Sequence, residues 1–300
     1  MTQIKLRILS LIAGLLALPA LALAGMGHPD PWQISLQDAA TPVQDFIITF
    51  HFYLLILISL IVLFVFGLLA YVIVKFNAKA NPVPSKTTHN SLIEVVWTIV
   101  PVLILAAIAI PSFKLLYLER DIPKGDMTIK ITGNPGWNWT YEYPDLGLND
   151  DKSPKVSFTA VLLPEDQAKA RGVPYLLSTD VPTVVPVGKV VKILVTADPE
   201  GIIHSWAMPS FGIKIDAIPG RINEDWFQVK MEGVFHGQCS ELCGKDHAFM
   251  PIEVWAVSEE NFKKWSDFEL NMPTGTPAEV NQKLQDFLKT IRPADKVASN

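Results

Sequence analysis

The sequence predicts an all-β sandwich or small barrel that follows a pair of membrane-spanning helices. Two long runs without charged residues lie in the first 113 residues. Short β-prone segments, separated by proline, glycine and aspartate, follow them. Only 18% of the residues are charged, so part of the chain is expected to lie in lipid.

Residues 1–24 have the pattern of an export signal peptide. Lys5 and Arg7 precede an apolar run too short to span a bilayer, and the small-residue pattern Ala22-Leu23-Ala24 follows. We expect cleavage after Ala24, with an uncleaved anchor helix as the alternative. Residues 25–45 would then form an exported N-terminal segment.

Two transmembrane helices are expected over residues 46–74 and 95–117. The first range has no charged residue before Lys75, and the second contains Pro101 and Pro111, which are expected to kink or end its helix. The link 75–94 carries three lysines against one glutamate, whereas residues 25–45 carry three aspartates and no base. This asymmetry predicts a cytoplasmic link and places both ends of the mature chain outside.

Residues 118–258 are expected to form one exported soluble domain. Alternating apolar residues predict strands at "MTIKITG" (127–133) and "FQVKMEG" (227–233), with further strand-like segments between and after them. From residue 259 the pattern becomes helical, in "EENFKKWSDFEL" and "PAEVNQKLQDFLKTI", so residues 259–300 predict a helical C-terminal extension and tail.

The segment "HGQCSELCGKDHAFM" (236–250) concentrates sulfur and imidazole in a chain that has two cysteines. A disulfide between the cysteines is one interpretation, because exported proteins commonly oxidise such pairs. A closed zinc site is another, since two cysteines and two histidines are an ordinary zinc set. Its four ligands would be His236, Cys239, Cys243 and His247.

Copper is the third interpretation of this segment. Thiolate, imidazole and a weak axial methionine form electron-transfer copper sites, and Met250 supplies a thioether three residues after His247. A site with one copper ion needs only one cysteine. The second thiolate therefore suggests a second metal ion, with both sulfurs bridging the pair.

This segment and the upstream "IIHSWAMPSFGIKIDAIPGR" resemble subunit II of the haem-copper cytochrome c oxidases, in the form with a binuclear copper A centre. The resemblance covers nearly the whole mature chain. It implies a two-pass protein of the bacterial inner membrane whose cupredoxin-like Greek-key domain lies on the periplasmic side. It also implies a ligand set that leaves out His236 and in which Glu241 contributes its backbone carbonyl. That set is His204, Cys239, Glu241, Cys243, His247 and Met250.

The resemblance further implies roles for Trp137, Glu241 and Glu94. Electrons would enter at the first tryptophan of "WNWTYEY", which is Trp137, although Asn134-Pro135-Gly136 departs from the His-Gln that commonly precedes it in the family. The Glu241 side chain would reach a magnesium ion at the boundary with subunit I. Glu94 would stand at the entrance of a proton path into that subunit, or would simply be a carboxylate at a helix start.

The function that the resemblance implies is electron transfer within a respiratory oxidase. Single electrons from cytochrome c would pass to haem in subunit I, where oxygen is reduced and protons are translocated. Membrane lipid and subunit III are further expected partners, and no nucleic acid is expected. A copper-lacking subunit of quinol-oxidase type and an exported domain stapled by zinc or a disulfide are the alternatives.

The predicted soluble part is acidic, which suits a basic partner. From Val95 to the C-terminus, 26 acidic residues face 20 lysines and arginines. Carboxylates near the aromatic cluster are candidates for steering a lysine-rich cytochrome c. They are Glu142, Asp145, Asp150, Asp151 and Asp180.

Overall fold

The computed structural model describes residues 27–293, so the predicted signal peptide and the last seven residues lie outside the described part. The chain divides into two compact units. One is helical and covers Pro42–Ile122. The other combines the described residues up to Thr41 with those from Pro123 onward.

The helical unit consists of α1 (Pro42–Lys75) and α2 (Ser91–Arg120), both long and apolar enough to cross a membrane. Both helices are longer than the uncharged runs that predicted them, because polar residues form their first turns. Asp45 lies in the first turn of α1, and the Asn90 side chain caps α2 by accepting from the amides of Leu92 and Ile93. The link between the helices is correspondingly shorter than residues 75–94.

Proline does not end the second helix, contrary to one of the two expectations. Pro101 and Pro111 both lie inside α2. Each removes one backbone donor, yet the helix continues to Arg120. Transmembrane helices tolerate such prolines when other groups satisfy the freed carbonyls.

The other unit is a β-sandwich of two five-stranded sheets, which confirms the predicted fold class. The first sheet has the order β3-β2-β1-β5-β8 and the second the order β4-β10-β9-β6-β7. The strands are β1 (Met127–Asn134), β2 (Asn138–Glu142), β3 (Ser157–Ala160), β4 (Thr183–Pro186), β5 (Val190–Ala197), β6 (His204–Met208), β7 (Ile213–Ala217), β8 (Asn223–Gln228), β9 (Gly233–Cys239) and β10 (Pro251–Val257).

The core lies between the two sheets and is rich in aromatic residues. In β1, Ile129 and Ile131 are buried while the residues between them are partly exposed, as the period of a half-buried strand requires. Trp139 of β2 and Trp206 of β6 are fully buried. Large rigid rings fill the interior and hold the ends of the strands in fixed positions.

The prediction of a strand over residues 227–233 is wrong for most of that range. Strand β8 ends at Gln228, and β9 begins at Gly233 in the opposite sheet. The chain crosses between the sheets at this point, and the amide of Lys230 donates to the carbonyl of Ala40 (2.9 Å). An alternating pattern alone does not reveal such a crossing.

Residues 27–41, here called the N-terminal strap, are bound to the β-sandwich. The Gly27 carbonyl accepts from the His236 amide of β9 (2.7 Å), and Ala40 donates to the Ser210 carbonyl (2.9 Å). Strands β6 and β9 pair directly only at Trp206–Cys239 and Ala207–Gln238. The strap therefore satisfies a backbone donor of β9 beyond the point where β6 stops pairing.

Three short helices complete the unit: α3 (Glu165–Arg171), α4 (Glu259–Leu270) and α5 (Pro277–Ile291). Helices α4 and α5 have the bounds that the sequence predicts, and Ser258 and Thr276 cap them through their hydroxyl oxygens. Leu284, Leu288 and Ile291 of α5 are buried, so the C-terminal extension forms part of the hydrophobic core.

Burial of the Glu269 carboxyl in α4 predicts a pH dependence of stability. Desolvation raises its pKa from 4.5 to about 7. The folded state then binds this proton more tightly than the unfolded state does. The free-energy cost of burying the ionised carboxylate is absent below pH 4.5. It grows as the pH rises from there to about 7 and stays constant above it.

We expect Glu269→Gln to stabilise the protein by roughly 1–3 kcal/mol at pH 8 and to leave it almost unchanged at pH 4.5. Asp267→Asn, on the exposed side of the same helix, removes one charge without relieving any burial and is the matched control. Thermal unfolding of both variants across this pH range measures the effect. An equal shift at both pH values for Glu269→Gln would contradict it.

Candidate metal centre

The candidate metal centre lies where the ends of β6 and β9 meet the loop that leads into β10. His204 is the first residue of β6 and Cys239 the last of β9. Cys243, His247 and Met250 follow in the loop, and Met250 directly precedes β10. Five of the six predicted ligands thus come from a 12-residue stretch (239–250), and His204 comes from a neighbouring strand.

The side chains of this loop and His204 converge in the arrangement that a two-metal site needs. The Cys239 and Cys243 sulfurs are 3.8 Å apart. The His204 Nδ1 lies 3.9 Å from Cys239 Sγ, and the His247 Nδ1 lies 3.4 Å from Cys243 Sγ. Each sulfur therefore has one imidazole nitrogen beside it.

Two weaker donors complete the cluster, one beside each sulfur. The Met250 Sδ is 3.6 Å from Cys243 Sγ, and the Glu241 backbone carbonyl is 3.4 Å from Cys239 Sγ. Glu241 is an exposed residue whose backbone carbonyl lies beside the Cys239 sulfur. All six sequence-predicted ligands are brought together here.

Burial sets the electrostatics of the cluster. Cys239, Cys243, Met250 and His204 are all buried. Desolvation, reinforced by the neighbouring Cys239, raises the pKa of the Cys243 thiol, and burial lowers the pKa of His204. The imidazole is thus neutral at pH 7, the form that binds metals. The thiol needs a bound cation to release its proton.

Two residues that the sequence analysis did not select hold the ligands in place. Gly133 of β1 packs against the His204 ring so closely that a Cβ atom would lie 2.8 Å from its Cδ2. The Trp139 indole donates to the Met250 carbonyl (3.3 Å) and meets the His204 ring edge to face at 5.8 Å. A glycine in a strand interior was the available signal for close approach.

Trp137 lies against the ligand loop. Its indole Nε1 donates to the backbone carbonyl of Cys243 (2.9 Å), and its own backbone has a left-handed φ of 52°. Gly244 leaves room for the ring, because a Cβ there would approach the indole to 3.1 Å. The Lys245 ammonium lies 5.6 Å from the ring centroid. The tryptophan that is predicted to accept electrons therefore donates a hydrogen bond directly to a predicted ligand residue.

The other candidate residues lie outside the cluster. His236 is buried in β9, where its Nδ1 contacts the Leu177 carbonyl (2.9 Å), so it is engaged away from the sulfurs. Glu94 lies in the first turn of α2 and accepts from the Asn90 amide (3.2 Å). Both cysteines are free thiols, so the structure contains no disulfide between them.

Most of the carboxylates proposed for steering already have partners in this chain. Glu142 pairs with Lys130 (2.6 Å), Asp151 accepts from Ser153, and Asp180 is half-buried and accepts from two backbone amides. Asp145 accepts from the amide of Thr128, at the opposite end of β1 from the hairpin that carries Trp137. Asp198 and Glu200, which follow β5, lie nearer to that hairpin.

Comparisons with known proteins match both units of the chain. A family profile described as the periplasmic domain of cytochrome c oxidase subunit II matches residues 127–257, and the profile of the transmembrane domain matches residues 29–115. The probable cytochrome c oxidase subunit 2 of Rickettsia conorii is 47% identical over 238 residues, which are 79% of this chain and 72% of that protein.

Two further similarities extend this result. Cytochrome c oxidase subunit 2 of Cereibacter sphaeroides is 42% identical over 267 residues, covering 84% of this chain and 87% of that protein. The crystal structure of the periplasmic domain of subunit II of cytochrome oxidase from Bradyrhizobium japonicum shares 47% identity. It covers 49% of this chain and 96% of that one, with a TM-score of 0.43.

The contact of Gly133 with His204 predicts a selective defect at the metal centre. We expect Gly133→Ala to displace the His204 ring and to weaken metal binding by roughly tenfold or more, with fold stability lowered by about 1–3 kcal/mol. Thr132→Ala, on the other face of the same strand, should leave metal affinity unchanged. Metal titration of both variants tests this, and wild-type affinity in Gly133→Ala would contradict it.

Proposed function

Because this chain belongs to the cytochrome c oxidase subunit II family, we propose that its metal centre holds the two copper ions of a binuclear copper A site. The chain is the electron-accepting subunit of a cytochrome c oxidase. It is a two-pass protein of the inner membrane, with its β-sandwich on the periplasmic side. Reduction of oxygen takes place elsewhere in the enzyme.

The 3.8 Å separation of the two sulfurs is the observation that carries the proposal. It is far longer than a disulfide bond of ~2.05 Å. It is shorter than the ~4.6 Å that two metal–thiolate bonds of ~2.3 Å, the length known for zinc, can span. Both thiolates can therefore bind the same metal ion, and with one imidazole beside each sulfur the donor set suits two ions.

The chemistry of the donors favours copper over harder metals. Thiolate, thioether and imidazole ligands suit copper, and two copper ions held by Cys239, Cys243, His204 and His247 would supply a store for one electron. The chain contributes buried and closely packed apolar residues around the two sulfurs. Met250, beside the Cys243 sulfur, and the Glu241 carbonyl, beside the Cys239 sulfur, would be the weak donors that tune the redox potential.

We place the arrival of electrons from reduced cytochrome c at Trp137. The hydrogen bond from its indole to the Cys243 carbonyl connects a partly exposed ring with a residue that binds the metal. From the site, electrons would continue to haem in subunit I, where oxygen reduction is coupled to proton translocation. Assembly with subunit I, and with subunit III, is part of this proposal.

Two further roles belong to the same proposal. The exposed carboxylate of Glu241 would bind magnesium at the boundary with subunit I, since hard cations prefer oxygen ligands and its carbonyl is already directed at the sulfurs. Glu94 would mark the entrance of a proton path. Its contact with the Asn90 amide also fits the simpler role of a helix-start carboxylate.

The alternative functions are less well supported. A quinol-oxidase-type subunit is expected to lack the copper ligands, and all six predicted ligands are present and close together here. The zinc set that the sequence suggested needs His236, which contacts Leu177 instead. An exported domain stabilised by a disulfide would need a bond between Cys239 and Cys243, and both thiols are free.

Copper loading of the purified full-length chain tests the proposed site. We expect two copper ions per chain and intense visible absorption from the thiolates. Cys239→Ser should lose the absorption and bind at most one copper ion, while Ser240→Ala, a neighbouring exposed residue, should bind two. A single zinc ion per chain in the wild type, with no visible absorption, would refute the proposal.

The role of Trp137 is tested by Trp137→Phe, which keeps an aromatic ring and removes the indole N–H donor. We expect slower electron transfer from cytochrome c, with the copper absorption and the affinity for cytochrome c nearly unchanged. Trp32→Phe, the same change in the exposed strap residue, is the control. Wild-type transfer rates in Trp137→Phe would show that electron transfer does not depend on the hydrogen bond between the indole and Cys243.

A further inference from the structure

Lys245 places a positive charge over the residue at which we propose that electrons arrive. Its ammonium lies 5.6 Å from the centroid of the Trp137 ring and 3.8 Å from the Asp246 carboxylate. The Lys245 side chain is 78% exposed, so a docking protein meets the charge directly. This geometry is a cation–π contact at the protein surface, the kind of contact in which the ammonium keeps most of its hydration.

We propose that Lys245 determines specificity for the electron donor: it excludes basic side chains from the centre of the contact and selects donors that present an uncharged or acidic surface to Trp137. The inference rests on the proposed role of Trp137. The step is a one-electron transfer in which the donor haem iron goes from ferrous to ferric, the site is reduced by one electron, and no bond or proton changes.

Carboxylates lie near this cation and near the hairpin that carries Trp137. Asp246 is next to it, and Asp198 and Glu200 lie on the loop after β5, beside the Trp137 hairpin. This part of the surface therefore combines one exposed cation at Trp137 with three carboxylates nearby. It fits a donor whose lysines form a ring around an uncharged haem edge, because opposite charges then meet at the rim and like charges are kept apart.

Holding the indole in place does not require Lys245. The hydrogen bond from Nε1 to the Cys243 carbonyl fixes the ring at one side, and the close packing of Gly244 fixes it at another. An exposed cation–π contact adds comparatively little to these constraints. What Lys245 adds is its charge, which acts on an approaching protein over about one Debye length, ~10 Å at 0.1 M salt.

The test is stopped-flow electron transfer from a reduced, lysine-rich cytochrome c to the assembled, copper-loaded oxidase, measured over a range of ionic strength. Lys245→Met removes the charge and keeps the side-chain length, and Lys245→Arg keeps the charge. Asp246→Asn changes the local charge in the opposite sense. Lys283→Met, on the exposed surface of α5, makes the same change in net charge away from the loop.

At low ionic strength we expect Lys245→Met to raise the second-order rate constant roughly two- to tenfold and Asp246→Asn to lower it. At ~1 M salt, where the Debye length falls to ~3 Å, both differences should vanish. Lys245→Arg should match the wild type, and Lys283→Met should have little effect. The rate constants for more and less basic cytochromes c should also differ less in Lys245→Met than in the wild type. The copper absorption should stay unchanged.

Two results would overturn the inference while leaving the proposed function intact. One is a rate constant for Lys245→Met equal to that of the wild type at every ionic strength. The other is an equal loss of rate at every ionic strength, which would mean that Lys245 only positions the indole. If the copper-loaded wild type accepts no electrons from any cytochrome c, the proposed function is wrong and this inference falls with it.

Discussion

The fixed distance between the two cysteine sulfurs is the constraint on which the site depends. The sulfurs are 3.8 Å apart because Cys239 ends a strand and Cys243 lies in the tight loop that follows. At this distance both thiolates can bind the same ions, and because burial raises the pKa of the Cys243 thiol, this thiol loses its proton only when a cation is bound. Metal binding and the conformation of the loop are therefore coupled.

The rest of the sandwich keeps this geometry constant. His204 is held between Gly133 and Trp139, and the loop is tied back by the indoles of Trp137 and Trp139. The N-terminal strap supports β9 on the side that β6 leaves unpaired. A closely packed core resists local rearrangement, so we expect the predicted ligands to move little when the charge of the proposed centre changes. Small movement is what rapid electron transfer requires, and it connects the packing of the fold with its function.

The sequence predicted the features that local patterns determine and missed those that depend on long-range packing. Hydropathy predicted both long helices, and periodicity predicted most strands and both C-terminal helices. Alternation failed at residues 229–232, because a crossing between sheets has no signature in a local pattern. The cysteine loop was identifiable because its ligands lie within 12 residues. His204 was assigned through a family resemblance, and the contacts of Gly133 and Lys245 arise from residues distant in sequence.

Electron paramagnetic resonance of the oxidised, copper-loaded protein tests the central claim most directly. If the two sulfurs bridge two copper ions, one unpaired electron is shared by both nuclei, and the hyperfine pattern is that of two equivalent coppers. A pattern from a single copper nucleus, or a silent protein that contains two metal ions, would contradict the account.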